Sequence, residues 1–580
     1  MLLFDSLHMA SNAMSASQLG MQVVGQNLTN ANTAGYVREQ LVLETGTSRQ
    51  MGNGVVTGTG VSVNGVRQVI DNFLEERLRS STSDAMSSAT QEKYYTELEV
   101  LLNETTDSDL SSSLSAFFNS IDNVLNQPED VNYREMTVTQ GQKLAEDINR
   151  IALTIVNMQR DVNTSIGMAA DEINSLIAKI EELNTSITLV ETKQGTEALG
   201  LRDQRLDALS KLSNLINIKT VEDAQSGKVS VYCGSDVLLA DGIRNEVYVD
   251  GQKENSDDVV MAKLCIRDSM TPLDVRSGTV YGLYQAHETI LGGYAQKLDD
   301  FANDLIREFN KVYTQGQGLT GFSELSSPAK LDHPEQPINT ADLDYPITSG
   351  VLTVQVYNKQ NNTTIDYDIE IFVEDLPVSD PFSLKQTPEA TGTSLIDLAA
   401  AIDAVDGLSA TVNSHGQLEI SSDNTNYEFA FARDTGGVLS ALGMNTFFTG
   451  SSAASIGVNE TVVNDALKFA ASRGGVGADT ENGVLLAAMG IEKNADLGGK
   501  SLIGYYEGIV SETMLAASTV KAVAASDSLY QQSLQTQRDS ISGVNVDEET
   551  ILMMTYQRMF QANSRLVTII DEMLSTLINM

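Results

Sequence analysis

The strongest constraint on the fold is an apolar repeat of 3.5 residues at both ends of the chain. At the start, Leu3, Leu7, Ala10, Met14, Ser17, Met21, Val24, Leu28 and Ala31 fall on alternating steps of four and three. At the end, Val546, Met553, Phe560, Val567 and Leu574 stand seven apart, with Tyr556, Asn563, Ile570 and Leu577 interleaved. A 3.5 period keeps one seam turned toward a partner helix, so each end predicts a helix and supercoiled pairing. Periodicity alone would equally suit two amphipathic helices lying on an ordinary core. Their places at the two extremes of the chain, and their matching lengths, favour pairing with each other. Ser17 and Asn563 are polar members of the seam, expected to weaken it and to fix its register. Such helices are marginal in isolation, because helix formation is cooperative and needs a partner face. The ends are therefore expected to order on packing against neighbouring molecules.

Proline supplies the next constraint. Seven of the nine prolines lie between Pro328 and Pro388, and the others are Pro128 and Pro272. Proline removes a helix donor and clashes with the preceding turn, so long helices need the proline-free stretches on either side. Residues 85–216 read as helix with a break near Pro128; Leu144, Ile148, Ile151, Ile155 and Met158 share one face, as do Ile173, Leu176, Ile177, Ile180 and Leu183. Residues 228–265 alternate as strands, with a turn at Asp241-Gly242. Residues 280–313 return to helix, and 350–375 read as a hairpin turning at Asn361-Asn362. A second hairpin turns at His415-Gly416, and helix is expected to return near Ala466 and dominate to the end.

The fold class is multidomain α+β: paired terminal helices, a bundle of long helices, and β-rich outer domains inserted in the middle. The expected division is 1–40 with 541–580 as a terminal coiled coil; 41–220, 270–320 and 460–540 as a helical domain with a small hairpin; 221–269 as a β-rich segment; and 321–459 as an acidic β-rich outer domain.

Charge and composition exclude several functions. Over 580 residues there are 37 Lys plus Arg against 78 Asp plus Glu, a net charge of −41, whereas phosphate binding needs a basic face. Nucleic acid is excluded as a partner, and an anionic lipid surface is disfavoured. Residues 321–460 hold 20 acids and 4 bases, which reads as a solvent-facing insertion. The two ends, 1–40 and 541–580, together carry only −4, leaving them free to pack. No apolar run approaches the ~20 residues a bilayer needs. Met1 to Gly20 contains no basic residue and no long apolar block, so a cleaved signal peptide is not expected.

The reactive residue types are scarce. Cys233 and Cys265 read as two buried thiols, with a single disulfide as the alternative. His8, His287, His333 and His415 are scattered, so no metal site is expected. Gly52-Asn-Gly54 and Gly58-Thr-Gly60 lack the Lys-Ser/Thr of a phosphate loop and read as glycines shaping a tight hairpin. Asp547-Glu548-Glu549 opens the last helix, where acids favour the positive dipole end. No nucleophile–base pair, cofactor site or enzyme is expected.

The run Asn27-Leu28-Thr-Asn30-Ala-Asn32-Thr-Ala34-Gly35-Tyr36 should end the first helix and turn the chain, since Asn and Gly tolerate left-handed backbone and Asn caps free backbone groups. This run resembles the signature of the axial proteins of the bacterial flagellum, with Ala34 where that family usually has proline, which makes the turn less rigid. The continuation through Arg38, Gly58-Thr-Gly60-Val61, Val66-Arg67, Asp71-Asn-Phe73-Leu74 and Arg77-Leu78-Arg79 is similar to the family's hook–filament junction members. So are Arg202-Asp-Gln-Arg205 (with Leu206 where an Asp is usual), Leu298 through Phe309-Asn310 and Gly316, and Leu442-Gly-Met-Asn445-Thr-Phe447-Phe448-Thr-Gly450. Ser542-Gly543-Val544-Asn545-Val546-Asp547-Glu548-Glu549, Tyr556-Gln557 and Asp571-Glu572-Met573-Leu574 resemble the family's C-terminal helix. The matches span both ends and about two thirds of the chain; residues 320–440 show little.

The resemblance implies a structural role at the distal end of the hook, self-assembly into a ring, and contacts with hook protein and with the second junction protein, hook-associated protein 3. It also implies export without a cleaved signal, an extracellular place on the flagellum, and an export chaperone at the C-terminal helix. Another axial protein, hook or distal rod, is the alternative within the class. A secreted adhesin acting through the outer β domain is the alternative outside it.

Overall fold

The computed structural model describes residues 2–33, 35–50, 56–102, 109–194, 196–250, 259–361, 363–373, 392–477 and 479–578. Ala34, Gly52, Gly54 and Asn362, which carried expectations about turns, lie outside them. The architecture mixes helix and sheet, with helix (56%) well above strand (18%), so long helices carry it. The helices are α1 (Leu2–Asn30), α2 (Asn72–Leu102), α3 (Leu110–Asn126), α4 (Val131–Gln194), α5 (Leu199–Leu215), α6 (Thr279–Gln285), α7 (Gly293–Tyr313), α8 (Leu395–Asp403), α9 (Val438–Leu442), α10 (Glu460–Asn464), α11 (Glu481–Ala488), α12 (Leu502–Ser542) and α13 (Val546–Ile578).

The chain forms two compact units interleaved along the sequence. The first comprises Met1–Tyr95, Gln159–Ile290 and Ala517–Met580; the second Thr96–Met158 and Leu291–Ala516. The segments 1–40, 541–580 and 221–269 all fall in the first, and 321–459 falls wholly in the second.

In the first unit an antiparallel ladder pairs β1 (Glu39–Thr45) with β4 (Val61–Gln68), and β2 (Ser48–Gln50) pairs with β3 (Val56–Gly58) between them. The second half of α4 presents Val162, Ile166, Ile173, Ile177, Ile180 and Ile187, all fully buried, at helical spacing. A four-stranded antiparallel meander, Lys219–Glu222 to Ile243–Arg244, turns at Asp241 and Gly242, both with positive φ. It is stitched to α4 by Asn184, whose side chain donates to Val229 O (2.8 Å) and accepts from Val229 N (3.1 Å). Cys233 and Cys265 are buried free thiols.

The second unit is centred on aromatic rings. Phe117 of α3 touches Phe309 of α7, Phe447 and Phe448, with centroids 5.3–5.5 Å apart. Asn310 holds the Phe447-Phe448 turn in place, accepting from both backbone N–H groups (3.0 and 3.1 Å) and donating to Phe448 O (2.8 Å). The break at Pro128 is closed by fully buried Arg134, which donates to Pro128 O (3.0 and 3.1 Å) and Phe469 O (2.7 Å). Strand Gly350–Asn358 lies between Thr363–Ile371 and Tyr427–Asp434, all antiparallel.

Residues 280–313 are helical as expected, with a π-helical turn, Ala286–Gly292, between α6 and α7, next to the weak helix formers Gly292 and Gly293. From Ala466 to the end helix dominates as expected, through α11, α12 and α13. Between α10 and α12 the backbone is mostly turn, because glycines cluster there and the Asp479 carboxylate competes for backbone donors, accepting from Arg473 N (3.0 Å), Gly474 N (2.6 Å) and Glu481 N (2.8 Å).

Candidate assembly interface

α1 packs antiparallel on α13. At Gly20 a Cβ would lie 2.6 Å from the Tyr556 ring, so glycine lets the ring seat against the α1 backbone. One turn on, Gly25 faces the Met553 methyl. Among the described residues of α13, Met553, Tyr556, Phe560, Asn563, Ser564, Val567 and Leu574 are half-buried and only Glu549 and Ile570 are buried. Val546 (52% exposed) and Leu577 (63%) do not join them. On α1, Val24 is buried and Leu3, Leu7, Met14, Met21 and Leu28 are half-buried. Its covered face is broader than the repeat implies, since Ala16, Gly20, Val23 and Asn27 are buried as well, where the β1–β4 ladder also packs on it.

Ser17 and Asn563 do not set the register. Ser17 Oγ donates to Ala13 O (2.7 Å) and Asn563 Nδ2 to Met559 O (2.9 Å), each within its own helix. Hydroxyl and amide side chains at such positions satisfy themselves on the preceding turn.

Register comes from a polar knot at the other end of the pair. Asn27, 1% exposed, uses its whole side-chain amide. Nδ2 donates to Glu39 O (2.9 Å) and Glu549 Oε2 (3.0 Å), and Oδ1 accepts from Tyr36 Oη (2.8 Å) and Glu39 N (3.0 Å). Arg38 Nε donates to Glu549 Oε1 (2.8 Å), and Arg38 N to Ser542 O (2.9 Å). Glu549 is itself 1% exposed, so its ion pair is shielded from water, unlike the looser Arg38–Glu548 contact at 3.6 Å. Glu549 thus does more than complement a helix dipole; the capping is done by exposed Asn545, whose Oδ1 accepts from Asp547 N (3.1 Å). Asn30, Gly35, Tyr36, Gly543 and Val544 are half-buried, and Asn32, Asp547 and Glu548 are exposed. Gly35 takes a left-handed φ of 79°, which turns the chain back toward α13.

Sequence reasoning missed Glu39 and Asp203. Glu39 is buried, which raises its carboxyl above the ordinary range. Asp203 of α5 accepts from Gln68 Nε2 (2.6 Å) and from the Val37 amide; burial, with the nearby Glu39 charge, lifts it to about 6. Burial first, then Glu39, Asp203 and Glu549, pushes the Tyr36 phenol well up, keeping it a neutral donor. Two residues beyond Asp203, Arg205 is buried and donates to Asn184 Oδ1 (3.0 Å) and to Gly227 O, while Arg202 Nε meets Glu191 Oε1 at 2.8 Å.

Flanking its covered seam, α13 carries a second repeat: Leu552, Met559, Leu566 and Met573, seven apart, with Ile569 between, all exposed. Among the described residues no group of three or more His, Cys, Asp or Glu could hold a metal, and no helix is long and apolar enough to cross a membrane.

Residues 95–325 match the family described as the flagellar hook-associated protein FlgK helical domain, and 535–580 the C-terminal domain of the flagellar basal body rod FlgEFG proteins. Both matches are to flagellar axial proteins. Over its whole length the chain is similar to flagellar hook-associated protein 1. Flagellar hook-associated protein 1 of Bacillus subtilis strain 168 is 24% identical over 99% of this chain and 98% of its own length, and that of Escherichia coli K12 is 23% identical over 98% of each. The flagellar hook junction protein FlgK of Burkholderia pseudomallei superposes with a TM-score of 0.47 at 14% identity, covering 80% of this chain and all of that one.

Proposed function

We propose that the chain is a structural adaptor of the bacterial flagellum, joining hook to filament, with α1 and α13 forming a coiled coil through which it assembles into a ring. The observation that carries this is the poverty of burial on α13. A helix of 33 residues that buries two described side chains, and carries a second apolar row at sevenfold spacing, is short of partners. Neighbouring subunits, hook protein on one side and hook-associated protein 3 on the other, supply the missing faces in this reading. So does an export chaperone on α13 before secretion to the outside of the cell. No catalytic role is assigned; the named relatives are flagellar proteins.

The test is electron microscopy of a deletion strain complemented with the wild-type chain or with Met559→Glu/Leu566→Glu. The deletion should leave hooks without filaments, and the double variant should fold normally yet fail to restore filaments. Motile cells with normal filaments in either case would overturn the proposal. Removing residues 541–580 should abolish chaperone binding; unchanged affinity would refute that placement.

A further inference from the structure

Asn-Gly steps occur in the chain at Asn53, Asn64 and Asn482. Asn53 lies outside the described residues, and the structure treats the other two in opposite ways. Asn482 is fully buried in the first turn of α11. Its Nδ2 donates to Ala470 O (2.8 Å), and the next backbone nitrogen, Gly483 N, donates to Ala471 O (2.9 Å). Both the side-chain amide and the nitrogen beside it are held. Asn64 is exposed on β4, at the irregularity of the β1–β4 ladder. Val63 stands opposite Leu43 and Gly65 opposite Val42, so Asn64 is the extra residue of a β-bulge, without a cross-strand partner. Its Nδ2 donates to Oε1 of exposed Glu44 (2.6 Å). A Cβ at Gly65 would meet nothing within 4 Å, so the peptide bond after Asn64 has open space beside it.

We propose that Asn64 is a site of spontaneous deamidation, a point of chemical ageing in the ladder on which α1 packs. The Gly65 backbone nitrogen attacks Asn64 Cγ. A bond forms between them, the Cγ–Nδ2 bond breaks, and ammonia leaves with the proton given up by Gly65 N. Water then opens the five-membered imide. Cleavage at Cγ leaves an aspartate at position 64; cleavage at the main-chain carbonyl leaves an isoaspartyl link, in which the chain runs through the former side chain. Water is the only co-reactant. The reaction belongs to the single subunit and does not depend on the assembly role proposed above.

The attack needs the backbone at Asn64 to bend until the next nitrogen reaches its own side chain. Residues paired in a regular ladder resist this, because their hydrogen bonds fix an extended backbone. A bulge residue is already bent out of the ladder. Glycine at 65 brings no Cβ to crowd the closing ring. The fold makes no demand for glycine there, since its φ is not left-handed and a side chain would have room. Conversion carries a structural cost. The product loses the donor to Glu44 and sets a second carboxylate against it, a like-charge contact between strands. The isoaspartyl form also adds an atom to the backbone path, which disturbs the register beyond the bulge.

The experiment is peptide mass spectrometry of the full-length folded subunit aged in neutral buffer, with the same chain held in denaturant as the reference. Fragment ions separate position 64 from Asn53, which shares the tryptic peptide Gln50–Arg67. In denaturant, Asn64 and Asn482 should both gain the mass difference between an amide and a carboxyl. In the folded subunit Asn64 should still convert while Asn482 stays intact. Gly65→Ala, which fits without displacing a neighbour, should suppress conversion at 64. Amide exchange in strand Glu39–Thr45 should be up to about fivefold faster in Asn64→Asp than in fresh wild type. Ageing should move wild type toward that variant and leave Gly65→Ala where it began. Protection of folded Asn64 equal to that of Asn482, or undiminished conversion in Gly65→Ala, would overturn the proposal. Unchanged exchange in Asn64→Asp would overturn its effect on the ladder.

Discussion

Replacing Asn27 by Ala should unfasten the terminal helix pair. The substitution removes four hydrogen bonds of 2.8–3.0 Å at a side chain that is 1% exposed. Tyr36 is half-buried and can turn its hydroxyl to water, and Glu549 keeps Arg38. The Glu39 N–H and C=O and one Glu549 oxygen are left buried without that partner. At about 1–3 kcal/mol for each buried group left unsatisfied, and allowing for relaxation, the loss is about 3–4 kcal/mol. Two compact units make a single global unfolding free energy ill-defined, so the measurement should be local. Amide exchange in the first two turns of α13 reports it directly. A loss of that size means faster exchange by a factor of about a hundred to a thousand, while amides in the second unit stay unchanged. Exchange within about threefold of wild type would refute the argument that Asn27 registers α1 on α13. Asn27→Asp should be at least as damaging, because it places a carboxylate against Glu549 and the Glu39 carbonyl.

Gly20→Val should loosen the same pair by driving a side chain into the Tyr556 ring, and Tyr556→Ala should partly restore it; no rescue in a thermal melt of the double variant would contradict the close approach. Phe447→Ala removes the ring that meets Phe117, Phe309, Tyr313 and Phe469, and should cost about 3–5 kcal/mol in denaturant unfolding of the second unit. Arg205→Met strips the donor from Asn184 Oδ1 and the Gly227 carbonyl. It should cost about 2–4 kcal/mol, measured as lost protection in strand Val229–Cys233.

Much of the helical framework was legible because period is a local property. The four-and-three spacing of Met553, Tyr556, Phe560, Val567, Ile570 and Leu574 coincides with the less exposed side of α13, since a helix of that length turns the same residues inward whatever covers them. Asn27 to Tyr36 read as a stop and turn, and the structure ends α1 at Asn30 with a left-handed Gly35. The turns between α10 and α12 were not legible, because glycines permit but do not impose a conformation and the acceptor that fixes them, Asp479, looks like any other acid. The polar register of the helix pair was misread for a related reason: Ser17 and Asn563 sit on the seam but satisfy themselves locally.

The amino-acid order by itself determined which stretches are helical and which face of each is apolar, because these depend on neighbours three or four residues away. Only the tertiary structure decided that Asn27 meets Glu549 across 522 positions, that Gly20 admits Tyr556, and that Gln68 meets Asp203. Those contacts join residues with no shared period, and what selects them is the cost of leaving a buried donor, acceptor or charge without its partner, which no single segment of the chain can evaluate.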